Sequence, residues 1–506
     1  MTVSNWMSMG FVACLCFGTS VAGAEEHGAD QVTAAWRPMI VAALTGEAEA
    51  QQAAVEQMRA AGPPALETLL AVRQQLEAAV AEASTRAANE PTPESEATAQ
   101  RTRDRLARLD AVIDQVGRQR NCATSRLFWY TDLAEAQREA AKRRRPILSL
   151  RMLGLLTDEF SCANSRFFRS TLYSNAEISQ YLRDHFVLHW QSVRPVPKVT
   201  VDFGDGRKLE RTLTGNSAHY ILTADGQCVE CLPGLYGPPK FLALLQSAES
   251  LAQACQNVPE SERAELLRLH HVAQRDAIVA NWAADLAAIN ESLSSYPGDS
   301  AVSQAPSQRA EATSANNVAR ADNGRPQAPN AEAASRLAVP KSFAEAPLLR
   351  AVTLNQQVDT QQQFVARVET LVSRTDEAVW QQIAARHAND AVLDAASVAM
   401  IRRQNPLAAQ AMRLAVTKAR VEDPVLRLVR GLQSSIALDT VRNEYMLHRQ
   451  VHDWFAQQTA PADVFALNER VYAELFLTPS SDPWLGLLQP DTYTALQNNG
   501  LVLSSE

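Results

Sequence analysis

Pro146-Ile147-Leu148-Ser149-Leu150 and Phe186-Val187-Leu188-His189-Trp190 are two short, bounded apolar runs, the length and composition of buried strands. Between them Cys162-Ala163-Asn164-Ser165 leads into Arg166-Phe167-Phe168-Arg169, which reads as a helix start. A further pair of runs, Tyr220-Ile221-Leu222 and Cys228-Val229, flanks Ala224-Asp225-Gly226 and reads as a hairpin. The spacing predicts helices over Thr131 to Arg144, with Thr131 or Asp132 as cap, over Ile178 to His185, and over Phe241 to Gln256. Lys142-Arg143-Arg144-Arg145 falls where the first of these ends, and cations there favour the helix C-terminus. Val199 to Phe203 and Leu209 to Leu213 flank Gly204-Asp205-Gly206, a second hairpin signal. Residues 119–257 therefore read as a central α/β module.

Outward from it the sequence turns helical. Residues 25–118 carry segments at Trp36 to Leu44, Ala48 to Ala61, Ala65 to Glu82 and Arg101 to Val116, with Ala83 to Gln100 expected as a loop because it is polar and holds two prolines. Residues 258–295 read as one long helix with Ile278, Trp282, Leu286, Ile289 and Leu293 along a face. Residues 296–343 are Ser, Ala, Asn, Gln and Pro with few large apolar side chains, the composition of a disordered linker. Residues 344–506 return to helices and show no strand pattern.

The fold class that follows is α+β and multidomain, a mixed sheet flanked by helices between mostly helical N- and C-terminal regions. Of 506 residues, 48 are basic and 56 acidic, a net charge of −8 that offers no basic footprint for nucleic acid. Residues 1–24 resemble a signal peptide: Met7 to Ala24 is apolar and small, and Ala22-Gly23-Ala24 is a cleavage pattern ahead of Glu25-Glu26. The expectation is an exported protein, periplasmic or extracellular, with no membrane-spanning segment beyond the signal. Removing Cys14 and Cys16 with the signal leaves Cys122, Cys162, Cys228, Cys231 and Cys255, an odd number.

The order of elements, together with Trp129-Tyr130-Thr131-Asp132-Leu133, Ala141-Lys142, Pro146-Ile147-Leu148, Cys162, Tyr181-Leu182, His185-Phe186-Val187 and Ala224-Asp225-Gly226, resembles the thioredoxin-like superfamily, in its exported bacterial branch, over about residues 125 to 250. The resemblance implies that Cys162 is the attacking thiol of a C-x-x-C position in which Ser165 replaces the resolving cysteine. It also places Ala218 where the family has a proline facing the thiols. Cys122 is then a candidate resolving thiol, and His219 a group that could polarise Cys162 from the neighbouring strand. The actual C-x-x-C, Cys228-Val229-Glu230-Cys231, lies on an expected strand, where side chains three apart point to opposite faces.

Glu444, His448 and His452 recur at steps of four on a helix and are the candidates for a metal. They also fall in a core stripe with Val441, Tyr445 and Phe455, which neutral buried histidines explain without an ion, so no cofactor and no metal are expected. Two functions stay open. One is a degenerate thioredoxin-fold module that binds exported proteins, as clients or scaffold partners. The other is a monothiol thiol-disulfide oxidoreductase or isomerase-like enzyme working through Cys162.

Overall fold

The computed structural model describes residues 26–294, 359–406, 424–461 and 463–485; the expected signal peptide and linker lie outside them. The chain divides into two compact units, one ending at Val116 and one beginning at Gly117.

The first unit is helical: α1 (Glu26–Thr45), α2 (Ala48–Ala61), α3 (Pro63–Asn89) and α4 (Pro93–Gly117). Gly62 separates α2 from α3 with a φ of 77°, a conformation glycine adopts without strain, and Pro63 opens α3 where its missing N–H costs nothing. The loop expected over Ala83 to Gln100 is not there. The alanine-rich stretch carries α3 on to Asn89, and Pro93 begins α4 after a turn in which Thr92 Oγ1 accepts from the Ser95 amide at 3.1 Å. Arg73 ties α3 to α4 through Asp110 at 2.6 Å.

The second unit holds a mixed five-stranded sheet. After α5 (Cys122–Ser125) come β1 (Trp129–Tyr130), α6 (Leu133–Arg143), β2 (Ile147–Leu153), α7 (Ala163–Phe167), α8 (Ala176–His185) and β3 (Val187–Arg194). An exposed hairpin of β4 (Lys198–Asp202) and β5 (Lys208–Thr212) follows, then β6 (Ser217–Leu222), β7 (Cys228–Pro233), α9 (Pro238–Asn257) and the long α10 (Glu260–Ser294). The sheet order is β1-β3-β2-β6-β7, with β1, β3 and β2 parallel and β6 and β7 antiparallel to their neighbours. Every residue of β2, β6 and β7 is buried, so both faces of these strands are covered, and their polar residues, Arg151 and Glu230 among them, are buried too. Asp132 caps α6 by accepting from the Glu135 amide at 2.7 Å, as the sequence suggests.

The C-terminal helices are α11 (Asp359–Ser373), α12 (Glu377–Arg386), α13 (Ala395–Gln404), α14 (Pro424–Arg442), α15 (Arg449–Ala456) and α16 (Val464–Arg470). A π-helical turn, Asn443–His448, joins α14 to α15, and another, Val471–Leu475, extends α16. They belong to the same unit as the sheet. Trp282 of α10, fully buried, stacks on Tyr445 at 5.6 Å between ring centres and lies 5.5 Å from Trp380 of α12. Beside them Asp285 accepts from Tyr445 Oη at 2.7 Å and from His387 Nε2 at 2.8 Å.

Hydrogen bonds to Asp285 and Asp390 raise the His387 pKa to about 9 against some burial. A raised folded-state pKa gives stability that is complete below the unfolded value near 6.5 and is lost as pH climbs through 9. Because His387 is 32% exposed, the effect is discounted for screening. Urea unfolding at pH 6 and pH 9.5 should therefore show the wild type losing about 1 kcal/mol more than His387→Gln over that interval. Equal losses would mean that the imidazole carries no charge in the fold.

Candidate functional site

Cys162 caps α7 at the end of the loop after β2 and is fully buried. Its Sγ lies 2.9 Å from Ser217 Oγ, and it points its S–H toward Ser165 Oγ at 3.4 Å and the Asn216 carbonyl at 3.9 Å. Cys162 and Ser165 thus lie side by side. Ser165 Oγ is itself engaged with Ser161 Oγ at 2.7 Å and with the Cys162 carbonyl at 2.9 Å. The strand residue against the thiol is Ser217, one position before the expected Ala218, which instead pairs with Arg151 and Pro233 inside the sheet.

His219 does not polarise Cys162 through any hydrogen bond of this structure. Its Nε2 lies 2.7 Å from Tyr173 Oη, it packs between Phe168 and Phe241, and burial depresses its pKa to about 3. An imidazole held neutral in an apolar packet is a poor proton acceptor. Cys122, the expected resolving thiol, sits on α5 with Sγ directed to the Leu127 carbonyl at 3.3 Å. None of the five described cysteines is in a disulfide.

The backbone amides at the start of α7 are partly engaged. Ala163 N–H donates to the Thr214 carbonyl at 2.9 Å and Cys162 N–H to the Leu153 carbonyl at 3.2 Å. Arg169, buried close by, donates to the Leu156 and Asp158 carbonyls, and desolvation lowers its pKa to about 10. The C-terminal segment closes over this corner. Tyr472 Oη donates to the Asn216 carbonyl at 3.0 Å, Asn216 Nδ2 to Thr478 Oγ1 at 2.8 Å, and Arg194 to the carbonyls of Thr478 and Asp482, each at 2.8 Å.

The C-x-x-C on β7 departs from expectation. A register shift lies opposite Ile221 and Leu222, so Cys228 pairs with Leu222, Glu230 with Ile221 and Cys231 with Tyr220. The extra residue puts Cys228 and Cys231 on one face instead of two. Burial pushes both thiols up, and they remain unbonded.

The same bulge delivers Glu230 to the histidines. Glu444, His448 and His452 are all buried, and Glu230 joins them: its Oε1 is 3.3 Å from His448 Nε2, while His448 Nδ1 is 3.0 Å from Glu444 Oε2. Burial opposes protonation of His448, yet the Glu230 and Glu444 carboxylates outweigh it and raise its pKa to about 9. Burial would raise Glu444 too, but His448 and Lys240 bring it down to about 2. The two carboxylates thus favour the charged form of His448, while burial pushes His452 towards the neutral form. His271 of α10 completes the group, with Nδ1 2.7 Å from His452 Nδ1 and Nε2 3.0 Å from the Val229 carbonyl.

Sequence reading missed Ser217, Tyr472, Glu230 and His271. The one local signal was a charged residue, Glu230, inside an otherwise apolar strand. No family model, no curated protein and no solved structure matches this chain.

Iodoacetamide at neutral pH should label Cys162 of the folded chain at least about 100-fold more slowly than free cysteine, and at the free rate in urea, because the thiolate nucleophile needs access. Labelling in the native state at the free rate would show that the cover opens readily.

Proposed function

We propose that the chain is an exported protein-binding scaffold built around a thioredoxin-like module whose thiol chemistry is closed off. The strand order β1-β3-β2-β6-β7, with its parallel and antiparallel halves and Cys162 capping the helix after β2, supports the thioredoxin-like reading. The apolar stretch ending in Ala22-Gly23-Ala24 supports export.

The observation that carries binding is the β4–β5 hairpin. It occupies the connection between β3 and β6, and neither strand pairs with a third among the described residues. Val199 and Val201, two apart on β4, share a face and are 37% and 43% exposed, and Phe203 beside them is 55% exposed. Its base is anchored, since Arg166 donates to Thr212 Oγ1 at 2.9 Å. An exposed ribbon with free edges and apolar side chains on one face suits an extended segment of another protein, which would add a strand and seat alternate side chains. The partner class is an exported polypeptide.

The monothiol enzyme needs Cys162 exposed and a second thiol for release. Among the described residues its sulfur is hydrogen-bonded to serine hydroxyls and a carbonyl beneath the C-terminal segment.

Cross-linking in the native compartment separates the two. The full-length protein and Cys162→Ser should capture the same partner polypeptides, and Val201→Glu with Phe203→Ser should reduce capture at least tenfold. Loss of capture in Cys162→Ser with an unaffected hairpin variant would overturn the scaffold in favour of thiol exchange.

A further inference from the structure

The buried histidines lie away from Cys162 and play no part in the scaffold reading. Glu230 of β7, His448 of the π-helical turn and His452 of α15 each offer one ligand atom, and these atoms lie within 4.8 Å of one another. His271 Nδ1 adjoins them through His452. The outer contacts fix which nitrogens face inward. His448 turns Nδ1 to Glu444, which Lys240 holds at 3.0 Å, and so presents Nε2. His271 gives its Nε2–H to the Val229 carbonyl and so presents Nδ1. A histidine whose far nitrogen donates to a carboxylate or a backbone carbonyl is the usual outer arrangement of a metal-bound imidazole.

We infer that Glu230, His271, His448 and His452 form a closed binding site for one divalent transition-metal ion, zinc in the first place. Three imidazoles and a carboxylate are a ligand set suited to tetrahedral zinc. As the ion enters, one proton leaves, the one between His448 and Glu230, while the proton between His271 and His452 moves to His452 Nε2, so that both Nδ1 lone pairs are free for the metal and each ring stays neutral. The two facing Nδ1 atoms, now 2.7 Å apart, must separate to roughly 3.3 Å, the spacing of tetrahedral ligands each about 2.0 Å from zinc. Four protein ligands leave no open coordination position, and all four residues are buried. The site is therefore structural: it clamps β7 of the sheet to α10 and α15.

The full-length chain is stripped with chelator, checked for its fold by circular dichroism, and titrated with zinc chloride against a competing chelator. One equivalent should bind, with a rise of several degrees in Tm at saturation. Glu444→Gln, which removes only outer support, should weaken zinc about 10- to 100-fold, and Glu230→Gln more than that. A stripped chain that folds only when zinc is returned would also support the site. Cobalt(II) bound to the wild type should give the intense visible bands of a tetrahedral ion; this readout needs no variant to fold. The site is overturned if the folded chain takes up less than about 0.1 equivalent, if Glu230→Gln binds as tightly as the wild type, or if cobalt shows only weak octahedral bands.

Discussion

A carboxylate buried on the end strand of a sheet has to be compensated, and much of the second unit is arranged around that need. Glu230 is 4% exposed on an all-buried strand. An unpaired charge there would cost several kcal/mol. Its compensation comes from far along the chain, from His448 of the π-helical turn with His452 of α15 4.0 Å away, and Lys240 of α9 balances the second carboxylate, Glu444. The bulge in β7 makes this possible, because it turns Glu230 away from the cysteine face and leaves the Val229 carbonyl for His271. The sheet and the C-terminal helices therefore share one compact unit.

That arrangement bears on Cys162. The residues over it, Tyr472 and Thr478, come from the C-terminal elements, and they grip the chain just ahead of Ser217. The corner around the Cys162 thiol is filled with intrachain contacts. What stays exposed is the β4–β5 ribbon, where apolar side chains face solvent. Burial at one place and exposure at the other move the functional reading from chemistry to binding.

Local patterns in the sequence were good guides wherever the determining interaction is local. The apolar runs at Ile147 and Val187, the Asp132 cap, the turns at Gly204 and Gly226 and the adjacency of Cys162 to Ser165 depend on residues close in the chain. Expectation failed where register or distant packing decides. The extension of α3 to Asn89 follows from alanine-rich helix propensity overriding polarity, with Pro93 acting as a helix start and not as a breaker. The shared face of Cys228 and Cys231 depends on a bulge that no dipeptide announces. The charge on His448 depends on Glu230, more than two hundred residues earlier. A periodicity that places a histidine in a core stripe carries no information about the carboxylate opposite it.

The central claim is that Glu230 and His448 are energetically coupled across the sheet and the C-terminal helices. A double-mutant cycle with Glu230→Gln and His448→Gln, read by urea unfolding of the full-length chain, measures that coupling directly. Removing either partner of a buried pair should cost about 3–5 kcal/mol, and the double variant should recover at least about 1.5 kcal/mol of the summed loss. Losses that add to within about 0.5 kcal/mol would contradict the account, because the two residues would then be buried side by side without depending on each other.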